Sequence, residues 1–285
     1  MITGGTGTGA AALADPNTSE ARSHRISELM GAVSFRGKIY LGARRYPRAR
    51  IYEYDPSREW RLGVNPKEVR NGDAVLGDRP AIGTVNKSGY LGGQLLFHNP
   101  RTGRTEIHDK LIKDQSIMSP AYRNAVLYAG TSVYGGYGAA ETQTDARLIA
   151  WDVEKGRKLW EKTPVPGERT VPSLSFYRQG GLWGATAGVV FRYDHCRFAI
   201  RRYTPYNWPQ DGGYALADLA FRKRGGHLYG SMPGVGLYRL DPRTWKMTVI
   251  TDRPVYRMAL HPDGRLFAND GAELLAPPRA AEPAS

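Results

Sequence analysis

The chain has one cysteine in 285 residues, Cys196, so no internal disulfide can staple it and no cysteine-based metal site can form. No apolar run approaches the roughly 20 residues that a membrane-spanning helix needs. Acidic residues are scarce beside basic ones, 27 Asp and Glu against 40 Lys and Arg, which leaves a formal charge of +13. Long amphipathic helical stretches are few. His-x-x-x-His, Glu-x-x-His and Gly-x-Ser-x-Gly spacings are all missing, and His24, His98, His108, His195, His227 and His261 are scattered. These absences exclude a disulfide scaffold, a metal held on one helix face and a hydrolase built on a nucleophile elbow. No metal and no cofactor is expected. The run Gly4–Gly9 is followed by neither a helical pattern nor a lysine, so it is not read as a phosphate loop. No zinc spacing or RNA-binding motif occurs, and nucleic acid is not an expected partner. The opening residues lack a basic segment followed by an apolar one of roughly 7–15 residues, so the chain as it stands is expected in the cytoplasm. It is expected to be secreted if its natural start lies further upstream.

What is present in quantity is glycine (34), proline (19) and tyrosine (17), alongside 41% hydrophobic residues. That mixture suits many short strands joined by tight turns. Strand-like runs end repeatedly in Asp or Asn followed by a turn, at Asp15, Asp55, Asn99, Asp152, Asp194 and Asp241. Their separations are 40, 44, 53, 42 and 47 residues, each close to the length of a four-stranded propeller blade. A second run precedes each mark, among them Gly37–Ala43, Ser88–Gly93, Ala125–Thr131, Gly180–Thr186 and Gly225–Ser231, read as the second strand of its unit. Asp and Asn are read as turn-makers, because their side chains bond backbone N–H groups two residues on. Trp60, Trp160, Trp183 and Trp245 are read as packing between neighbouring blades.

The expected fold is therefore all-β, a β-propeller of four-stranded blades. Five units are expected to be complete, over 27–68, 69–114, 115–168, 169–212 and 213–253. Three-strand remnants at either end bring the expected count to seven units with incomplete first and last blades. The propeller is expected to occupy 1–276 as one domain, with a disordered Pro/Ala tail over 277–285, and to be monomeric.

The unit Ala146–Lys162, with Asp152, Gly156 and Trp160 at its turn and following strand, resembles the bacterial quinoprotein-like repeat of pyrroloquinoline-quinone-type propellers. His261–Asp270 is similar to the corresponding turn of lactonase-like propellers. The resemblance implies the propeller architecture. Neither a quinone site nor a calcium site is matched.

In a blade, the loops after the second and fourth strands lie at one end of the strands, and the turns after the first and third lie at the other. Three insertions break the period, over 43–50, 132–146 and 203–213, and all belong to the first kind. They carry the expected ligand-binding residues Arg44, Arg45, Tyr46, Tyr134, Tyr137, Tyr203, Tyr206 and Trp208. Aromatic rings beside arginines suit an anionic saccharide. The opposite turns are basic, with Arg36, Lys38, Arg101, Arg104, Arg123, Arg178 and Arg243 among them, a face suited to an acidic partner protein or a polyanion but read first as solvated turns. The leading expectation is a ligand- or partner-binding propeller without a catalytic set. The alternative is a lyase or hydrolase acting on an acidic saccharide, with Tyr134, Tyr137 or His261 as base and Arg44 or Arg45 holding a carboxylate.

Overall fold

The computed structural model describes residues 2–4, 11–14, 20–24, 28–44, 50–55, 59–62, 73–76, 79–178, 180–194, 197–209, 213–214, 216–222, 225–261, 263, 265–270 and 274–275. Among these it is all strand and turn, with no helix, and so no helix long and apolar enough to cross a membrane. The arrangement is that of a β-propeller with five four-stranded blades. The first blade is Glu28–Phe35, Lys38–Arg44, Arg50–Asp55 and Glu59–Leu62; the second is Asp73–Leu76, Arg79–Gly83, Gln94–His98 and Thr105–Asp109. The third is Ser116–Arg123, Val126–Ser132, Leu148–Asp152 and Arg157–Lys162. The fourth is Ser173–Phe176, Leu182–Ala185, Val189–Asp194 and Arg197–Arg202, and the fifth is Asp218–Arg222, His227–Met232, Gly236–Leu240 and Met247–Thr251. In every blade each strand pairs with the next in sequence, and throughout the first, second, fourth and fifth the pairing is antiparallel.

Each blade falls inside one of the five expected units. The expected count of seven blades is not supported, the arrangement being one of five; the end segments do supply the three strands expected of each among the described residues, and no fourth. These are Ile2–Gly4, Ala11–Ala14 and Ala21–His24 at the start, and Arg257–Leu260, Leu266–Asn269 and Leu274–Leu275 at the close. Ser88–Gly93 is also not a strand. The second strand of its blade is Arg79–Gly83, and Ser88–Gly93 belongs to the loop that follows it. The expected tail over 277–285 lies outside the described residues.

Contacts divide the chain into two compact units, Met1–Gln143 with Ile149–Glu161, and Thr144–Leu148 with Lys162–Ser285. In the first, Phe35, Tyr40 and Ile51 pack on Ile82 and Leu96 between the first and second blades. Leu95, Phe97 and Ala81 pack on Ile117, Leu127, Ile149 and Trp151 between the second and third. In the second unit Trp183 fills the wedge between the fourth and fifth blades, 1% exposed, its ring 4.5 Å from that of Trp245. The ring of Trp160 lies 5.9 Å from that of Tyr128 in its own blade. The side chain of Trp60 lies outside the described residues.

The Asx turns form as the sequence requires. Asn99 Oδ1 accepts the N–H of Arg101 (3.0 Å), Asp152 Oδ1 that of Lys155 (3.0 Å), and Asp241 Oδ1 that of Arg243 (2.8 Å). The last of these bonds draws the Asp241 carboxyl below its ordinary pKa. Outer strands are charged and open to water, as in Arg157–Lys162 and Arg197–Arg202, which discourages pairing of one sheet edge with another.

One core group carries a pH dependence. His98 is buried, its Nδ1 3.0 Å from Thr105 Oγ1, and burial lowers its pKa from 6.5 while Glu53 pulls weakly the other way. Below that pH the unfolded chain takes up the proton before the folded one does. Stability from neutral His98 is therefore complete above pH 6.5 and is lost as the pH falls toward the folded-state value. Thermal melts of the wild type and His98→Gln between pH 8 and 5 are expected to show a smaller acid-side fall in the variant. Parallel curves would refute this role.

Candidate interaction surface

Two loop segments of the first unit are tied together by their backbones. One follows the second strand of the second blade, over 84–93; the other follows the second strand of the third blade, over 133–143. Asn86 starts the first loop, with its N–H on Gly92 O (3.0 Å) and its amide Nδ2 on Leu91 O (2.7 Å). Thr84 closes it from below, its N–H donating to Gln94 O (3.0 Å) and its Oγ1 accepting the N–H of Gln94 (2.7 Å). Two bonds then cross between the loops, from Gly89 N–H to Tyr137 O and from Gly136 N–H to Tyr90 O, both 2.9 Å. Buried Ser116 braces the base, its hydroxyl donating to Tyr134 O at 2.7 Å.

The approach is close enough to require glycine at position 136. A Cβ there would stand 1.7 Å from Lys87 O. Glycine at 135 is nearly as constrained, 2.5 Å from Tyr90 O. The result is a stiff two-loop tip from which Tyr137 projects 85% exposed and Tyr90 54% exposed, with Lys87 Nζ 4.3 Å from the Tyr90 ring centroid.

The expected site residues fare differently. Tyr137 is at the tip, but Tyr134, three residues earlier, is 3% exposed and packs inward, so its phenol does not reach a surface ligand. Arg44 ends the strand Lys38–Arg44, paired with Glu28, and its side chain is outside the described residues. Arg45 and Tyr46 lie outside them altogether. In the second unit Tyr203 is half-buried, its hydroxyl donating to Trp245 O (2.8 Å), and burial raises its pKa. Tyr206 and Trp208 are brought together edge to face at 4.9 Å, both half-buried. His261 belongs to the turn between Arg257–Leu260 and Leu266–Asn269, with Nδ1 2.8 Å from Asp263 Oδ1. The backbone N–H of Arg265, with His261 and the Arg265 guanidinium, holds the Asp263 carboxyl at about 2, so this partner of His261 is ionised at neutral pH.

Sequence reasoning missed Lys87 and Tyr90. The polar run Asn86–Lys87–Ser88–Gly89 was the available signal, since such clusters mark turns. A buried carboxylate was also missed. Glu168 is 2% exposed, accepts a hydrogen bond from Thr186 Oγ1 and pairs with Arg202 (2.8 Å), so it ties loops of the second unit. Among the described residues no three His, Cys, Asp or Glu side chains gather as a metal set.

No family model matches the chain, and no curated protein matches it. Among solved structures it is similar to a propeller chain of the crystal structure of the mitotic checkpoint complex, at 12% identity and a TM-score of 0.68, over 94% of this chain and 80% of that one.

Proposed function

We propose that this propeller is a partner-binding scaffold, holding another protein through the long loops that follow the second strands of its blades. The observation that carries the reading is the tied pair of loops with Tyr90 and Tyr137 at its tip. Exposed tyrosines on a stiff support are what protein contacts use, because a large ring is presented with little side-chain freedom left to lose. The structural neighbour is a chain of a multi-protein complex, which supports the same class of function. Nothing in the described loops favours turnover of a saccharide, since the Tyr134 phenol is buried and His261 is engaged within its turn. One propeller domain over 1–276, and kinship of Ala146–Lys162 with the quinoprotein-like repeat, belong to this proposal as well.

The test places a photoreactive phenylalanine at position 137 and compares adducts with and without Tyr90→Ala. A discrete polypeptide adduct is expected, cut by about tenfold or more in the Tyr90→Ala protein with no change in melting temperature. An adduct indifferent to Tyr90, or release of product from uronate polymers by the wild type, would overturn the reading.

A further inference from the structure

At the strand ends opposite the tyrosine tip, a cleft of about 380 Å³ opens between the first two blades. Its apolar walls are Phe35, Tyr40 and Pro100, and its cations are Arg36, Lys38 and Arg101. Two turns build it. In the first blade Arg36 and Gly37 form a two-residue hairpin turn with φ of 49° and 76°. Positive φ at both positions favours Asn, Asp or Gly at the first, so arginine is there at some cost to the turn. A residue held where the backbone disfavours it directs attention to what its side chain does. The Arg36 guanidinium stands 5.1 Å from the Phe35 ring centroid, exposed, with no carboxylate on it among the described residues.

The second turn comes from the neighbouring blade. Asn99 fixes it from both sides, its Oδ1 accepting the N–H groups of Arg101 and Thr102 and its carbonyl accepting that of Gly103 (2.9 Å). Pro100 and exposed Arg101 are thereby held at the rim. Lys38 differs from the two arginines, because Glu53 bonds it and Asp55 lies 3.5 Å away. Tyr40 donates its hydroxyl to the same Glu53 at 3.1 Å. The floor thus sets one cation against two carboxylates, and the outward positive charge is that of the two guanidinium groups.

We propose that this cleft docks an acidic segment of a partner protein, with one Glu or Asp carboxylate between Arg36 and Arg101 and an adjoining aliphatic side chain against Phe35, Tyr40 and Pro100. The planar guanidinium matches a carboxylate in bidentate fashion. Glu53 and Asp55 on Lys38 repel a doubly charged phosphate about twice as strongly as a singly charged carboxylate, so the carboxylate is the better occupant. This surface is independent of the tyrosine tip.

The experiment measures fluorescence anisotropy of the full chain with a labelled peptide containing Glu-Leu-Glu, a Gln-Leu-Gln version and a phosphoserine version. The Glu peptide is expected to bind and to weaken with salt, and the Gln peptide to bind about tenfold less tightly or worse. Arg36→Asn is expected to weaken the Glu peptide by about tenfold while leaving the melting temperature unchanged or raised, since asparagine suits the turn. Arg101→Ser is expected to weaken it similarly, and Tyr90→Ala and Tyr137→Ala to leave it unchanged. No binding of the Glu peptide, wild-type affinity in Arg36→Asn, or tighter binding of the phosphoserine peptide would overturn the proposal.

Discussion

Replacing Trp183 by alanine is expected to destabilise the protein by about 3–5 kcal/mol, the range for truncating a large aromatic in a packed core. Trp183 is 1% exposed and sits among Val190, Leu219, Leu228, Tyr238 and Leu240, with the tilted ring of Trp245 4.5 Å away and the Arg192 guanidinium 5.8 Å from its ring. None of these neighbours belongs to a flexible chain end that could slide in and fill the space. The indole N–H has no acceptor among the described residues, so it contributes no hydrogen bond to lose. Trp183→Phe, which keeps a ring and removes that donor, is therefore expected to recover most of the loss. Urea denaturation checks both variants, and a wild-type midpoint for the alanine form would refute the central role assigned to this side chain.

Gly136→Ala has the second large effect, and it is local. The new methyl would lie 1.7 Å from Lys87 O, a backbone atom that cannot swing aside as a side-chain tip would. The loops must part, at a cost of about 1–3 kcal/mol by the usual scale of overpacking. Hydrogen exchange is expected to accelerate by about tenfold or more at the Gly89 and Gly136 amides, which make the crossing bonds, and to stay unchanged in the blade strands. The adduct expected at position 137 is lost with them. Gly138 is the control: it has positive φ but open space around its Cβ position, so Gly138→Asn is expected to leave both the exchange and the adduct in place. Equal behaviour of the two variants would refute the close approach as the cause.

Much of the architecture was legible because its signals are local. An Asx turn is closed by the residue that names it, as Asn99, Asp152 and Asp241 do, so the period could be read directly. Ser88–Gly93 was misread because a tyrosine and a leucine among glycines look like a strand. Its loop form is closed locally by Asn86, whose polar run is the signal that was passed over, and is braced by bonds to residues some 45 positions later that no local pattern announces. Tyr134 and Tyr137 look equivalent in sequence, yet one is buried and one projects, because Gly135 and Gly136 lie against the neighbouring loop and Tyr137 sits in the turn that the Ala139 N–H closes on Gly136 O. The cleft between Arg36 and Arg101 was visible only as scattered basic turns, since the blade packing that brings the two together is not written near either.

The two crossing bonds at the tyrosine tip join main chain to main chain, and this bears on binding kinetics. Much of the entropy of ordering the tip is already spent when the chain folds, whereas a loose loop would have to spend it at each encounter. Partners that meet this tip should thus differ mainly in how long they stay, with arrival rates varying much less. The side chains that project from it are also free to change without disturbing the ties that hold it, so recognition can drift while the support does not.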